Sequence, residues 1–155
     1  MNERTLRIAR VFDAPRERVF AAWTKAEQLA HWFGPANFGV HSCEVDARPG
    51  GVFRLCMRSP EGKDYWVRGV YREIVPPEYL VIVCAADDEN GVERLECVID
   101  VSFAAQGGKT KLMLNTTARG ESPEAAAMLS GMEQGWQGSL ERLQPALQRD
   151  ESHAH

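Results

Sequence analysis

The chain has 155 residues, of which 44% are hydrophobic and 26% are charged, and its formal net charge at pH 7 is −4. This composition is typical of one folded domain, and the acidic balance argues against a nucleic-acid partner, because nucleic-acid-binding proteins normally present a basic face. No apolar run approaches the about 20 residues of a membrane span, and the N-terminus lacks the apolar core of a signal peptide. We predict a single cytoplasmic domain over residues 1–155, with a folded core at about 5–147 and a polar tail at 148–155.

The first part of the chain predicts one strand and two short helices. Residues 6–12 alternate as a strand does, and Asp13 with Pro15 follows as a candidate helix start. Apolar residues at helical spacing predict an amphipathic helix over residues 16–24 and a second helix over 27–32. Phe33-Gly34-Pro35 ends the second helix.

The middle of the chain predicts an antiparallel meander of six strands with short turns. The sharpest turn is Arg48-Pro49-Gly50-Gly51, where proline sets φ and the glycines allow the chain to reverse. Most segments alternate apolar and polar residues, which indicates one face on a core. The predicted strands cover residues 38–45, 52–58, 65–74, 80–86, 95–103 and 110–116.

The last part of the chain predicts one long helix that begins at Ser122-Pro123-Glu124. Its apolar stripe recurs at steps of three and four residues and comprises Leu129, Met132, Trp136, Leu140, Leu143 and Leu147. Gly131, Gly135 and Gly138 lie on a neighbouring face. Each glycine costs about 1 kcal/mol of helix stability relative to alanine, which indicates the close approach of a strand or a ligand.

Together these elements predict an α+β fold of the helix-grip type. A curved antiparallel sheet of six or seven strands wraps around the long C-terminal helix, and two short helices follow the first strand. This arrangement leaves a cavity between the sheet and the long helix.

Four segments carry a resemblance to a known family: VFDAPRERVFAAWTKAEQLAHWFGP, VDARPGGVFRL, GVYREIVPPEYLV and GWQGSLERL. In this order and spacing the chain resembles the START-like, SRPBCC superfamily, in the branch related to the activator of the ninety-kilodalton heat-shock protein's ATPase. The resemblance covers residues 6–147 and implies a deep hydrophobic cavity. Members of the superfamily bind lipids, polyketides or other apolar molecules, and a few are cyclases or hydrolases.

The predicted ligand cavity is formed by side chains that face inward from the sheet, the C-terminal helix and the segment after the second short helix. A filled core is the alternative interpretation of the same pattern. Tyr65 and Tyr71 would be the polar handles of such a pocket. The candidate residues are Trp32, Phe33, Phe53, Leu55, Met57, Tyr65, Val67, Tyr71, Leu95, Cys97, Ile99, Leu112, Met128, Met132, Gly135 and Trp136.

The sequence predicts no catalytic residue, no metal site and no cofactor. The four cysteines form no C-x-x-C pair and lie in strand-like runs, so we expect reduced, small apolar side chains. A nucleophilic Cys97 would need a nearby base, for which His31 and His41 are the available partners. Asp46 and Arg48 are expected to pair across their turn as a structural feature.

The outer face of the predicted sheet carries charged residues and one tryptophan. Glu96 and Asp100 share a face opposite to Cys97, which favours a solvated or partner-facing surface over acid–base chemistry. Trp66 also falls on the outer face. It is either the contact of a homodimer or is covered by arginine side chains of a neighbouring strand.

Three functions stay open at this point. The first is the binding of a small hydrophobic or amphipathic molecule in the cavity. The second is a cochaperone-like activation of a chaperone ATPase, which the family branch alone implies. The third is a cyclase or hydrolase acting on a polyketide-like substrate, which requires at least two polar side chains that converge inside the pocket.

Overall fold

The computed structural model describes residues 2–34 and 37–153, with side chains to residue 148. Two of the eleven elements are short helices near the N-terminus and two are helices at the C-terminus. The elements in chain order are β1 (Asn2–Phe12), α1 (Arg16–Ala22), α2 (Ala26–Trp32), β2 (Gly39–Val45), β3 (Val52–Arg58), β4 (Asp64–Val75), β5 (Tyr79–Asp87), β6 (Glu93–Gln106), β7 (Lys109–Gly120), α3 (Pro123–Ser130) and α4 (Met132–His153).

The strands form one seven-stranded antiparallel sheet in the order β1-β7-β6-β5-β4-β3-β2. Consecutive strands from β2 to β7 pair as a meander, and β1 adds to the far side of β7. The predicted α+β fold class is confirmed, with seven strands. No helix in the described part of the chain is long and apolar enough to cross a membrane.

The core lies on one face of the sheet, beneath α1, α2 and α4. Alternating residues of β3 and β6 face this core, as their period of two predicts: Phe53 and Leu55 are buried, and so are Ile99 and Val101. Leu140 of α4 belongs to the same cluster. The sheet therefore grips the C-terminal helix in the predicted manner.

The turn before β3 has the two required glycines and the ion pair that the sequence predicts. Gly50 has φ +80°, and a Cβ added at Gly51 would lie 1.9 Å from the backbone oxygen of Asp46. Both positions therefore require glycine. Arg48 Nε and Asp46 Oδ2 are 2.7 Å apart, which confirms the expected ion pair across the turn.

The C-terminal helix differs from the prediction, because it is divided rather than continuous. Ser122 caps α3 by accepting a hydrogen bond from the Ala125 N–H at 3.0 Å, and α3 then ends at Gly131. A new helix, α4, starts at Met132. Glycine favours this break because it is a poor helix former and a common helix terminator. Helix α4 contains Pro145 and extends to His153, into the predicted polar tail, of which residues 154 and 155 lie outside the described residues.

Candidate functional site

A cavity of about 470 Å³ lies between the sheet and the two C-terminal helices. Eleven of the sixteen predicted residues border it. From the sheet these are Met57, Tyr65, Val67, Leu95, Cys97 and Ile99. From the helices and the segment after α2 they are Phe33, Met128, Met132, Gly135 and Trp136.

The floor of the cavity is a row of small residues that crosses four strands. Gly69 of β4 pairs with Cys84 of β5, Cys84 pairs with Cys97 of β6, and Cys97 pairs with Ala118 of β7. Cys84, Cys97 and Ala118 border the cavity. Because these side chains are short, they leave open the space that larger residues would occupy. The cavity is thus a consequence of the register as well as of the composition.

The roof of the cavity is the break between α3 and α4. Met128 belongs to α3, Gly131 lies at the break, and Met132 and Gly135 belong to α4, and all four border the cavity. A Cβ added at Gly131 would meet only the backbone oxygen of Met128, at 3.9 Å. Gly131 therefore borders open volume, and close packing against a strand is not the reason for this glycine. Gly135 borders the same cavity.

Aromatic rings form the wall beside the segment that follows α2. Phe33 lies with its ring centroid 5.7 Å from that of Trp136, in an edge-to-face arrangement. Phe38 lies 5.7 Å from Tyr65. Such contacts are favourable pair geometries beyond simple burial, so they hold this end of the cavity in shape.

Two side chains of α4 fasten this wall to the helix. Ser139 Oγ donates a hydrogen bond of 2.6 Å to the backbone oxygen of Gly34, and Arg142 Nη2 donates to the same oxygen. Gly34 has φ +104°, and a Cβ there would lie 2.8 Å from the sulfur of Met57. Burial lowers the pKa of Arg142. The segment beside the cavity is thus fixed by α4.

Most polar groups at the cavity are already engaged by the protein. Asp87 is 5% exposed and accepts hydrogen bonds from Arg68 Nε at 3.1 Å and from Arg68 Nη2 at 2.9 Å. Thr116 Oγ1 donates to the backbone oxygen of Val98 at 2.9 Å. These groups have structural partners, and the remaining surface of the cavity is dominated by carbon and sulfur atoms.

Two thiols face each other at the centre of the floor. The four cysteines of the chain are free, as predicted. Cys84 is buried and Cys97 is half-buried. Interaction with the neighbouring Cys84 thiol lowers the pKa of Cys97, and the same interaction raises the pKa of Cys84, to which burial adds.

Five predicted residues lie in the filled core away from the cavity. They belong to the core cluster that also contains Phe20 and Trp23. Trp32 Nε1 donates to the Ala22 oxygen at 3.0 Å, and Tyr71 Oη donates to the Trp23 oxygen at 2.9 Å. The prediction placed these five residues at the cavity, and the structure corrects it: Trp32, Phe53, Leu55, Tyr71 and Leu112 are fully buried.

Several residues that border the cavity are not predicted from the sequence. Cys84 and Ala86 lie in the nearly continuous apolar run of β5, where the two faces have no contrast in polarity. The other cavity residues come from strands, loops and helices, and they comprise Gly34, Phe38, Trp66, Asp87, Thr116, Ala118, Ala127, Gly131 and Ser139. Small residues at paired positions of adjacent strands are the sequence signal that indicates the floor of the cavity.

The predicted outer-face residues have partners of their own. Arg54 covers the Trp66 ring, with its guanidinium carbon 4.3 Å from the ring centroid. Of the two interpretations of Trp66, the contact with an arginine of a neighbouring strand is therefore the one that the structure contains. Glu96 pairs with Arg119 at 3.1 Å. The homodimer contact stays a prediction.

In the part of the chain that the structure describes, the acid–base candidates from the sequence do not converge at the cavity. Asp100 accepts a hydrogen bond of 2.9 Å from Tyr79 Oη on the outer face. His31 and His41 are exposed, and neither borders the cavity beside Cys97. Within residues 2–34 and 37–153, no three His, Cys, Asp or Glu side chains are grouped so that they could hold a metal ion.

The sheet that grips a C-terminal helix, with an apolar cavity between them, defines a helix-grip protein. The family model described as Activator of Hsp90 ATPase homolog 1-like protein matches residues 13–148. The chain belongs to this family, and the resemblance seen in the sequence is confirmed. No curated protein matches the chain significantly.

Solved structures of bacterial proteins share the fold over nearly the full chain. A protein from Chromobacterium violaceum is 28% identical, with a TM-score of 0.77 and coverage of 92% of this chain and 96% of that one. The AHSA1 protein from Silicibacter pomeroyi is 25% identical, with a TM-score of 0.77 and coverage of 95% and 99%. A protein from Nitrosomonas europaea is 22% identical, with a TM-score of 0.77 and coverage of 96% of both chains.

Proposed function

We propose that this protein binds a small hydrophobic or amphipathic molecule in the cavity between the sheet and helices α3 and α4. The observation that carries the proposal is the cavity of about 470 Å³, lined mainly by apolar side chains. Ligand pockets in proteins typically have volumes of about 300–1,000 Å³ and a few polar groups among apolar ones.

The energetics favour an apolar occupant. Water in this cavity would find few hydrogen-bond partners, because Asp87 and Thr116 are engaged by Arg68 and by the Val98 backbone. An apolar ligand loses no hydrogen bonds on entry, and burial of its surface contributes about 25 cal/mol per Å². The Tyr65 hydroxyl is the polar handle that would orient an amphipathic ligand.

A pair of adjacent alanines in β5 offers a matched test. Ala86 borders the cavity, whereas Ala85 lies on the opposite face, where it pairs with Arg68 and Glu96. Ala86→Phe would fill part of the cavity, and Ala85→Phe adds the same ring outside it. The probe is N-phenyl-1-naphthylamine, an uncharged fluorophore whose emission rises in apolar surroundings.

We expect the wild-type protein and Ala85→Phe to bind the probe, and Ala86→Phe to bind it at least tenfold more weakly. Native mass spectrometry of the purified protein, followed by denaturation, would identify any co-purifying molecule. The absence of probe binding to the folded wild-type protein, or equal binding by the two phenylalanine variants, would reject the cavity as the ligand site.

The family relationship keeps a chaperone partner as an alternative prediction. Its test is the ATPase rate of the cognate chaperone at saturating concentrations of this protein, where no stimulation rejects the role. A cyclase or hydrolase activity has less support, because Asp87 and Ser139, two of the polar side chains at the cavity, are engaged with Arg68 and with the Gly34 backbone.

A further inference from the structure

The floor of the cavity presents two thiols side by side in a sulfur-rich environment. Cys84 and Cys97 are direct partners across β5 and β6, and both border the cavity. The side chains of Met57, Met128 and Met132 border the same space. Sulfur ligands prefer soft, polarisable centres, so this environment indicates a soft ligand atom.

The backbone geometry at this pair disfavours a direct disulfide bond. The Phe103 N–H of β6 donates to the Glu78 oxygen at 2.9 Å, and residues of the same parity in β6 also point their N–H groups toward β5. Cys97 and Cys84 therefore form a hydrogen-bonded pair, in which Cα atoms are about 5.5 Å apart and Cβ atoms are wider than in the alternate pairs. Disulfides require Cβ atoms about 3.5–4.5 Å apart, whereas one atom placed between the two sulfurs spans a wider gap.

We propose that Cys84 and Cys97 form a dithiol site for a monosubstituted trivalent arsenical, R–As(OH)₂, whose organic group R occupies the cavity. This inference rests on the proposed function, since R fills the same apolar space. The dithiol adds a covalent capture step that apolar binding alone does not provide.

The capture step is balanced without an oxidant or a reductant. Two As–S bonds form and two As–O bonds break, and the two thiol protons leave with the two hydroxyl groups as two molecules of water. The arsenical, both thiols and the product R–As(S-Cys)₂ are uncharged. A bare metal cation would instead introduce charge into an apolar cavity, which is costly without additional ligands.

The thiol pair is asymmetric, which sets the order of bond formation. Cys84 is buried, whereas Cys97 is half-buried and is therefore the more accessible thiol; interaction within the pair also lowers the pKa of Cys97 and raises that of Cys84. Cys97 therefore forms the first bond to arsenic, because it is the thiol that an arsenical in the cavity reaches more easily. Cys84 closes the ring when its proton leaves with the second hydroxyl group.

The test uses phenylarsonous acid and the folded wild-type protein, with native mass spectrometry as the readout. We expect one adduct per chain, formed with loss of two waters, that survives excess 2-mercaptoethanol and is removed by the dithiol 2,3-dimercaptopropanol. Cys84→Ala and Cys97→Ala should each lose this monothiol-resistant adduct. Cys43→Ala and Cys56→Ala are the matched controls and should retain it, because neither residue borders the cavity.

Several outcomes would overturn the proposal. An adduct that persists in either Cys84→Ala or Cys97→Ala, or that requires Cys43 or Cys56, places the reaction elsewhere. Circular dichroism verifies that each variant is folded, and Cys97→Ser serves as a second variant because Cys97 is only half-buried. In parallel, N-phenyl-1-naphthylamine separates the two proposals: probe binding without an adduct rejects the dithiol site alone, and the absence of both rejects the cavity as well.

The organic group has its own test in the Ala86→Phe variant. If R occupies the cavity, this variant should weaken capture of phenylarsonous acid at least tenfold and leave capture of methylarsonous acid within about twofold. Equal effects on the two arsenicals would contradict the placement of R in the cavity.

Discussion

The side chain of Cys84 occupies the space that a side chain at Gly69 would need. The two residues are register partners in β5 and β4, and a Cβ added at Gly69 would lie 2.7 Å from Cβ of Cys84 and 2.0 Å from the Val83 backbone oxygen. Real Cβ atoms do not approach other atoms this closely. The glycine therefore allows the small-residue row to continue across β4 and β5.

Gly69→Ala should lower the free energy of unfolding by about 1–3 kcal/mol, because the new methyl group meets backbone atoms that cannot move aside easily. Urea denaturation measures the change. Gly39→Ala is the matched control, since a Cβ there has nothing within 4 Å and the residue lies in an edge strand. Equal losses in the two variants would show that the contact with Cys84 and Val83 is not the cause.

Arg68→Gln should destabilise the protein by about 1–3 kcal/mol, because it removes both donors to the buried Asp87 carboxylate and leaves that group poorly satisfied. The control is Arg119→Gln, whose partner Glu96 has a side chain that is 60% exposed. Exposed ion pairs contribute about 0–1 kcal/mol. Thermal unfolding of both variants checks the contrast, and a larger loss in Arg119→Gln would contradict it.

Tyr71 should make the protein less stable in alkaline solution. Burial raises the pKa of its hydroxyl well above the usual value of 10.0, so the folded protein retains a proton that the unfolded chain releases. The resulting stabilisation is complete below about pH 10 and decreases as the pH rises above it. Tyr71→Phe should therefore show a shallower loss of unfolding free energy between pH 9 and 11 than the wild-type protein does.

The Tyr71→Phe variant should also lose some stability at neutral pH. Loss of the hydrogen bond to the Trp23 oxygen should lower the free energy of unfolding by about 0.5–1.5 kcal/mol. Tyr65→Phe is the matched control, because Tyr65 is half-buried at the cavity wall. An alkaline profile of Tyr71→Phe that coincides with the wild-type profile would contradict the role assigned to this hydroxyl.

Alternation within single strands was sufficient to predict much of the sheet. In β6 the inward positions Leu95, Ile99 and Phe103 are buried as their period of two indicates, and the outward Glu96 is exposed. The apolar run in β5 lacks this alternation. Leu80, Val81 and Ile82 are all buried, so hydrophobicity there does not distinguish the two faces.

The division of the C-terminal helix was not predicted. The apolar stripe continues in phase from Leu129 to Met132, and periodicity alone therefore indicates one helix. The sequence shows that the three glycines cost helix stability, but the reason for Gly131 and Gly135 depends on the neighbouring volume. Gly131 ends α3, and Gly135 borders the cavity.

By itself the sequence determined the strands, the inward faces of those that alternate, the starts of α1 and α3 and the family, because these depend on local periodicity and on the order of short motifs. Only the tertiary structure decided which inward residues border open space. Tyr71 and Cys97 both point inward, yet Tyr71 is fully buried with its hydroxyl bonded to the Trp23 backbone oxygen, while Cys97 joins a row with Gly69, Cys84 and Ala118. A cavity arises where small side chains of several strands align and no helix fills the gap. Both conditions depend on strand register and on the packing of segments that are distant in the sequence.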